Sequence, residues 1–243
     1  MSAEYSIQSL KDELIKHIAQ DDYELFYLYT FEERRALNLI RDVLVSNKGM
    51  PLSLYIYDHA EGLRSETDKR LTAFKREKLT DLYFALPWLE QNGTGFVVFL
   101  NPKALFELRP DTVRLFKNTL LGLPGLKRER KNFFLKFFII SPSFYMPEEL
   151  QRDAFYIDMP LPTQEEISGY IKEFASTFGI KHLSATLMNR FISAFKGLGE
   201  ADIKNILKYC IYDGKLTEED IEEIIKFKKT IDKEREPFRI CRA

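Results

Sequence analysis

Five short apolar runs, at residues 25–30, 52–57, 96–100, 133–140 and 154–159, constrain this chain more than any other feature. Each is separated from the next by a helical or turn-rich segment. The run Phe96-Val97-Val98-Phe99-Leu100 is apolar at every position, as a strand covered on both faces must be. Between the runs, apolar residues recur at helical spacing: Leu37, Leu39, Ile40, Val43 and Leu44, then Leu79, Leu82, Tyr83, Leu86 and Leu89, then Val113, Leu115, Phe116, Leu120 and Leu121. Strands that alternate with helices build a parallel sheet clothed on both sides. The expected fold is therefore α/β, with a five-stranded parallel sheet and helices on both faces. A leading amphipathic helix, marked by Ile7, Leu10, Leu14, Ile15 and Ile18, packs beside the first strand.

From Thr163 onward the strands stop. Thr163 with Glu166 three residues later forms a capping box ahead of Ile167, Tyr170, Ile171 and Phe174. Ser184 caps a second helix, Gly197-Leu198-Gly199 breaks it before a third, and Thr217 caps a fourth that runs to about Ile231. The chain thus divides into an α/β core at 1–160, a small four-helix domain at 161–231 and a charged tail at 232–243.

Composition narrows the function. The formal net charge of -1 lacks the basic excess that a general nucleic-acid coat requires. Cys210 and Cys241 form no metal-spaced pair, which points to a reducing, cytoplasmic setting. The most apolar run, 133–140, is interrupted by Lys136 and is far shorter than the roughly 20 residues of a membrane span.

Ligands of open parallel sheets collect at the carboxyl ends of the strands. Those ends read Thr30, Asp58-His59, Asn101, Ser141 and Asp158. Asp58, His59 and Glu61 are either polar caps on a strand end or an acid-base or metal set. The first strand feeds directly into Phe31-Glu32-Glu33-Arg34-Arg35 with no glycine and no Gly-Lys-Ser/Thr, so the usual phosphate cradle is missing. After the third strand, where an acid should hold Mg²⁺ and activate water, Asn101 stands instead. Thr30, Asn101 and Ser141 remain the candidate nucleotide-binding residues. Lys127, Arg128, Arg130 and Lys131 form a basic patch, read as a solvated loop or as a phosphate or partner contact.

The order of elements resembles the AAA+ ATPase superfamily, a five-stranded core followed by a four-helix lid. The stretch Gly197-Leu198-Gly199-Glu200-Ala201-Asp202-Ile203 is similar to the lid's Gly-Leu-x-x-Ala-Asp-Ile stretch. Residues 140–142, 146–150 and 158–166 look like the junction from the sensor-1 strand to the lid. More narrowly, Glu32-Glu33-Arg34-Arg35-Ala36-Leu37 resembles the N-terminal half of the chloroplast and cyanobacterial reading-frame ATPases, where a P-loop-less module precedes an active one. The resemblance implies a sensor at Ser141 and an arginine finger near Arg128 or Arg130. No Walker-bearing half follows in this sequence, so an ATPase partner is expected on another chain.

The expectation that follows is a catalytically degenerate AAA-type module, a scaffold or regulatory subunit of a nucleotide-driven assembly. It would carry no cofactor, would meet a protein partner or a second copy of itself, and would not enter a membrane. A divergent ATP-binding or ATP-hydrolysing AAA+ enzyme that uses Mg²⁺, and a nucleic-acid-associated loader or initiator subunit, are the alternatives.

Overall fold

The computed structural model describes residues 5–47, 51–65, 67–68, 71, 81–180, 183–210 and 215–239, with 232–239 as backbone alone. Gln8–Met159 form one compact unit, and the residues from Pro160 onward belong to another.

The first unit holds a six-stranded sheet in the order β3-β2-β4-β5-β1-β6. Its strands are β1 (Leu25–Tyr29), β2 (Ser53–Asp58), β3 (Gly62–Ser65), β4 (Gly95–Leu100), β5 (Leu135–Ser141) and β6 (Ala154–Asp158). Five run parallel, and β3 pairs antiparallel with β2. The expected five strands are thus six. The extra strand is a hairpin return, placed by a turn in which Asp58 Oδ1 accepts from the backbone N–H of Ala60 and Glu61 at 2.9 and 2.7 Å. Gly62 then takes φ +74°, a left-handed conformation that favours glycine. Strand β1 lies between β5 and β6, one place in from an edge.

The described helices of this unit include α1 (Ile7–Gln20), α2 (Glu33–Ser46), α3 (Leu82–Asn92), α4 (Lys103–Leu108) and α5 (Pro110–Glu129). One face of the sheet, carrying Leu25, Tyr27, Val97, Phe99 and Phe137, packs against Leu86 and Leu89 of α3 and Phe116 and Leu123 of α5. On the opposite face α1 brings His17 to within 4.2 Å of the Phe155 ring, while α2 packs on β4 and β5. Burying these residues on both faces is what makes the parallel sheet stable, at about 25 cal/mol for each Å² of apolar surface removed from water. Leu121, expected inward, is 61% exposed, because α5 continues past it in a register that buries Leu120 and Leu123 instead. Leu79 lies outside the described residues.

The described residues of the second unit form four helices: α6 (Gln164–Thr177), α7 (Ala185–Phe195), α8 (Glu200–Cys210) and α9 (Glu218–Arg239). The capping box at Thr163 is formed in full. Its hydroxyl accepts from Glu166 N–H at 3.3 Å, and Glu166 Oε2 accepts from Thr163 N–H at 2.9 Å. Ser184 caps α7 in the same way, accepting from Leu187 N–H at 3.1 Å. Ile171, Phe191, Phe195, Ile203, Leu207 and Ile224 form the core of this unit. Helix α9 continues into the stretch read as a charged tail, since no glycine or proline interrupts it before Pro237. Cys210 is buried here, and burial beside Asp220 and Glu223 pushes its thiol up to about 12. Cys241 lies outside the described residues.

Candidate functional site

The parallel ladder carries three of the sequence-derived candidates to one place. Thr30 N–H donates to Ser141 O at 3.0 Å, and Asn101 N–H donates to Ile140 O at 2.8 Å, so the ladder runs one residue beyond β1 and β4. The Ser141 hydroxyl lies 3.3 Å from Asn101 Oδ1 and donates to Ser143 O at 3.0 Å. Ser141 and Thr30 are buried, whereas Asn101 is exposed and takes φ +43°. Left-handed backbone is tolerated better by asparagine than by most side chains, and it tips this residue out of the strand direction.

The turn after β1 is filled by its own chain. Thr30 Oγ1 accepts from Glu32 N–H at 3.0 Å, which satisfies one of the first amides ahead of α2. The Glu32 carboxylate pairs at 3.3 Å with Arg35, itself buried, and Glu33 occupies the first turn of α2. Carboxylates at a helix N-terminus complement the positive end of its dipole. That is the charge a bound phosphate would otherwise supply. The loop after β5 is also tied down: the buried Tyr27 hydroxyl donates to Ser143 O, and Tyr145 N–H donates to Tyr27 Oη at 3.1 Å.

The basic patch occupies the other edge of the sheet. Lys127 and Arg128 sit in the last turn of α5, and Arg130 and Lys131 follow before β5 begins. The seven residues of β5 separate this end from Ser141 by about 20 Å. The stretch read as a solvated loop is thus half helix, since cations suit a helix C-terminus. Lys127 reaches Asp21 at 2.6 Å and Glu24, and Arg130 donates to Glu90 O at 2.6 Å while lying 5.7 Å from the Phe133 ring centroid. Arg128 donates to Pro124 O at 3.2 Å, and Lys131 is exposed. Lys136, whose side chain is 0% exposed, joins the same carboxylates at 2.6 Å to Asp21 and 3.2 Å to Glu24. Burial raises the Asp21 carboxyl, but hydrogen bonds from Lys127 and Lys136 outweigh it and hold the group below its usual range. Sequence reasoning noticed Lys136 only as an interruption of an apolar run.

Asp58, His59 and Glu61 do not converge on an acid-base site. Asp58 is taken up by its turn and by Arg64, which also pairs with Glu61 at 3.2 Å, and His59 is exposed. Burial raises the Asp58 carboxyl, but the Glu61 N–H and Arg64 bring it below its ordinary value. Among the described residues no group of three or more His, Cys, Asp or Glu is placed to hold a metal ion.

A family model described as the SpoVK-like AAA ATPase N-terminal domain matches residues 11–159, and one for the second domain of the same proteins matches 165–234. The chain belongs to the SpoVK-like AAA ATPases. No curated protein matches the sequence. Among solved structures, this SpoVK-like chain is similar to the HORMA:CdnC:Trip13 complex of E. coli MS115-1. The TM-score is 0.60 at 11% identity, over 91% of this chain and 87% of that one. It is also similar to domain III of the Thermotoga maritima replication initiation protein DnaA, with TM-score 0.54 at 13% identity over 93% and 97%. The Aeropyrum pernix ORC2 protein, in ADPNP–ADP complexes, gives 0.55 at 12% identity over 90% and 66%. At these identities the neighbours show the AAA+ fold alone.

The expectation of a chain without a cofactor is overturned by these findings. The family is one of AAA ATPases and a neighbour was solved with ADPNP and ADP, so nucleotide with Mg²⁺ is the ligand pair the family indicates. The residues at the strand ends nevertheless do not fit a magnesium nucleotide gripped as a P-loop grips it. Thr30, Asn101 and Ser141 offer neutral hydrogen-bonding groups, α2 presents Glu32 and Glu33, and Asn101 stands where a metal-holding acid is required. Of the described residues, no helix is long and apolar enough to cross a membrane.

Proposed function

We propose that this SpoVK-like chain is a non-hydrolysing AAA-type module that acts as a scaffold or regulatory subunit in a nucleotide-driven assembly. The observation that carries the reading is the start of α2. Thr30 caps an amide there, and the Glu32–Arg35 pair and Glu33 occupy the turn that a lysine-bearing phosphate loop fills in a hydrolysing site. Asn101 at the end of β4 supports it independently, because an amide cannot take a proton from water at neutral pH. The 164–177, 185–195, 200–210 and 218–239 helices serve as the AAA+ lid in this reading, and the finer kinship is with the P-loop-less N-terminal module of the reading-frame ATPases.

Nucleotide acts in this account through the assembly. A nucleotide held by this chain would meet Thr30, Asn101 and Ser141 through hydrogen bonds, with weaker hold on its phosphates than a lysine-bearing loop provides. Partner binding or self-association is the working output, as the Trip13-containing complex illustrates for a protein of the same fold. The test is steady-state phosphate release with saturating Mg-ATP. The chain alone releases none above buffer; saturable release lost in Asn101→Ala would overturn the reading.

The family itself favours a second reading, an ATPase that uses the α2 amides in place of a P-loop. Under it, Glu33→Gln would leave turnover intact and Thr30→Ala would abolish it.

A further inference from the structure

Helices α7 and α9 leave a groove of about 760 Å³ between them. Its floor is apolar: Ala194 and Ile221 are buried, and Ile225 remains 42% exposed. Cations line it, with Arg190 on α7 and Lys228 and Lys229 on α9, and none of its described lining residues is a carboxylate. These cations are not equivalent. Arg190 pairs with Glu218 at one end of the groove, whereas Lys228 donates to the Lys196 carbonyl and keeps its charge at the other, beside Lys229. Apolar floor, helical walls and positive charge gathered at one end define the recognition pattern of a helix laid in a groove, with anchors at i, i+4 and i+7 and acids beside them.

We propose that this groove docks an acidic amphipathic helix of a partner protein. Its apolar stripe rests on Ala194, Ile221 and Ile225, and its carboxylates meet Lys228 and Lys229. Charge complementarity selects the acidic class over a basic peptide, a phosphate backbone or an uncharged surface, because an apolar stripe is needed as well as anions. The inference rests on reading the chain as an interaction module and names the partner chemistry of that module.

The probe is a fluorescein-labelled peptide of about 16 residues, roughly four helical turns, with a leucine stripe and glutamate on the flanks. Fluorescence anisotropy with the full chain should show saturable binding, with Kd on the order of tens of micromolar. Ile225→Asp should abolish it, Lys229→Glu should weaken it about tenfold, and added salt should weaken it further. A thermal melt checks that Ile225→Asp folds, and Lys229→Glu alters an exposed side chain, so its result stands on its own. Absence of binding, or equal binding of the peptide with lysine in place of glutamate, would overturn the proposal. So would sedimentation showing that Ile225→Asp breaks up a self-assembled oligomer, which would seat a second copy in the groove. ATP turnover by the chain would sink the proposed function and leave the peptide result untouched.

Discussion

The two edges of one sheet use their polar residues in opposite ways. At the carboxyl edge, Thr30, Asn101 and Ser141 are neutral and bonded mostly to one another and to backbone. At the amino edge, Lys127 and Lys136 interlock with Asp21 and Glu24, and Lys136 is wholly buried. The lysine–carboxylate cluster lies where the strands begin, as part of the framework, while the ends of β1, β4 and β5 carry neutral side chains. Amino-edge changes should therefore alter stability, and carboxyl-edge changes should alter ligand behaviour with little loss of fold.

The largest effect is expected at Gly95, which opens β4 with φ +141° and faces Ser53 so closely that an added Cβ would lie 1.9 Å from its carbonyl oxygen. Gly95→Ala should cost about 4 kcal/mol in urea unfolding, because the β2–β4 ladder must shift. Lys136→Met should cost about 3 kcal/mol by the same measurement, since it leaves Lys127 alone to balance both Asp21 and the largely buried Glu24. Little loss in either variant would break the contrast between edges.

Acid should weaken the amino-edge framework and, separately, the turn after β2. Asp21 and Asp58 have depressed folded values, so their contribution is present above the ordinary carboxylate value of about 3.9 and is lost as pH falls through the folded values. Unfolding midpoints between neutral pH and pH of about 2 should fall, and Asp21→Asn should start lower and flatten that acid limb. An unchanged limb in Asp21→Asn would remove this carboxylate from the account.

At the carboxyl edge the changes are smaller. Asn101→Ala should cost about 1 kcal/mol for left-handed backbone, and Asn101→Gly should stay within about 1 kcal/mol of the parent. Glu33→Gln should change stability by only about 0.5 kcal/mol while raising ATP affinity a few-fold in titration calorimetry. A drop in affinity would show that Glu33 assists the nucleotide.

Much of this contrast was legible in the residues, and its limits have physical causes. The interior strands announced themselves because burial on both faces favours near-continuous apolar runs, and Thr163-x-x-Glu166 and Ser184 announced their helices through caps. Strand β3 did not, since Gly62-Leu63-Arg64-Ser65 owes its strand state to the open edge of β2 and to the Asp58 turn. Helix α5 runs on through Lys127 and Arg128, residues read as part of a basic loop, because its apolar face continues to Leu123 and cations suit its C-terminal turn. The convergence of Thr30, Asn101 and Ser141 followed from the parallel-strand rule, without any distance being visible. The Lys136 network was hidden because its acids, Asp21 and Glu24, lie more than 100 positions away in the chain.

The central claim is that the carboxyl edge has no hydrolytic chemistry of its own. A single-turnover experiment, with the protein in excess over γ-labelled ATP and Mg²⁺ present, addresses it most directly. The account predicts that the label stays on the nucleotide for as long as it does in buffer. Cleavage of the bound ATP that disappears in Asn101→Ala, with that variant's urea midpoint close to the parent's, would contradict it.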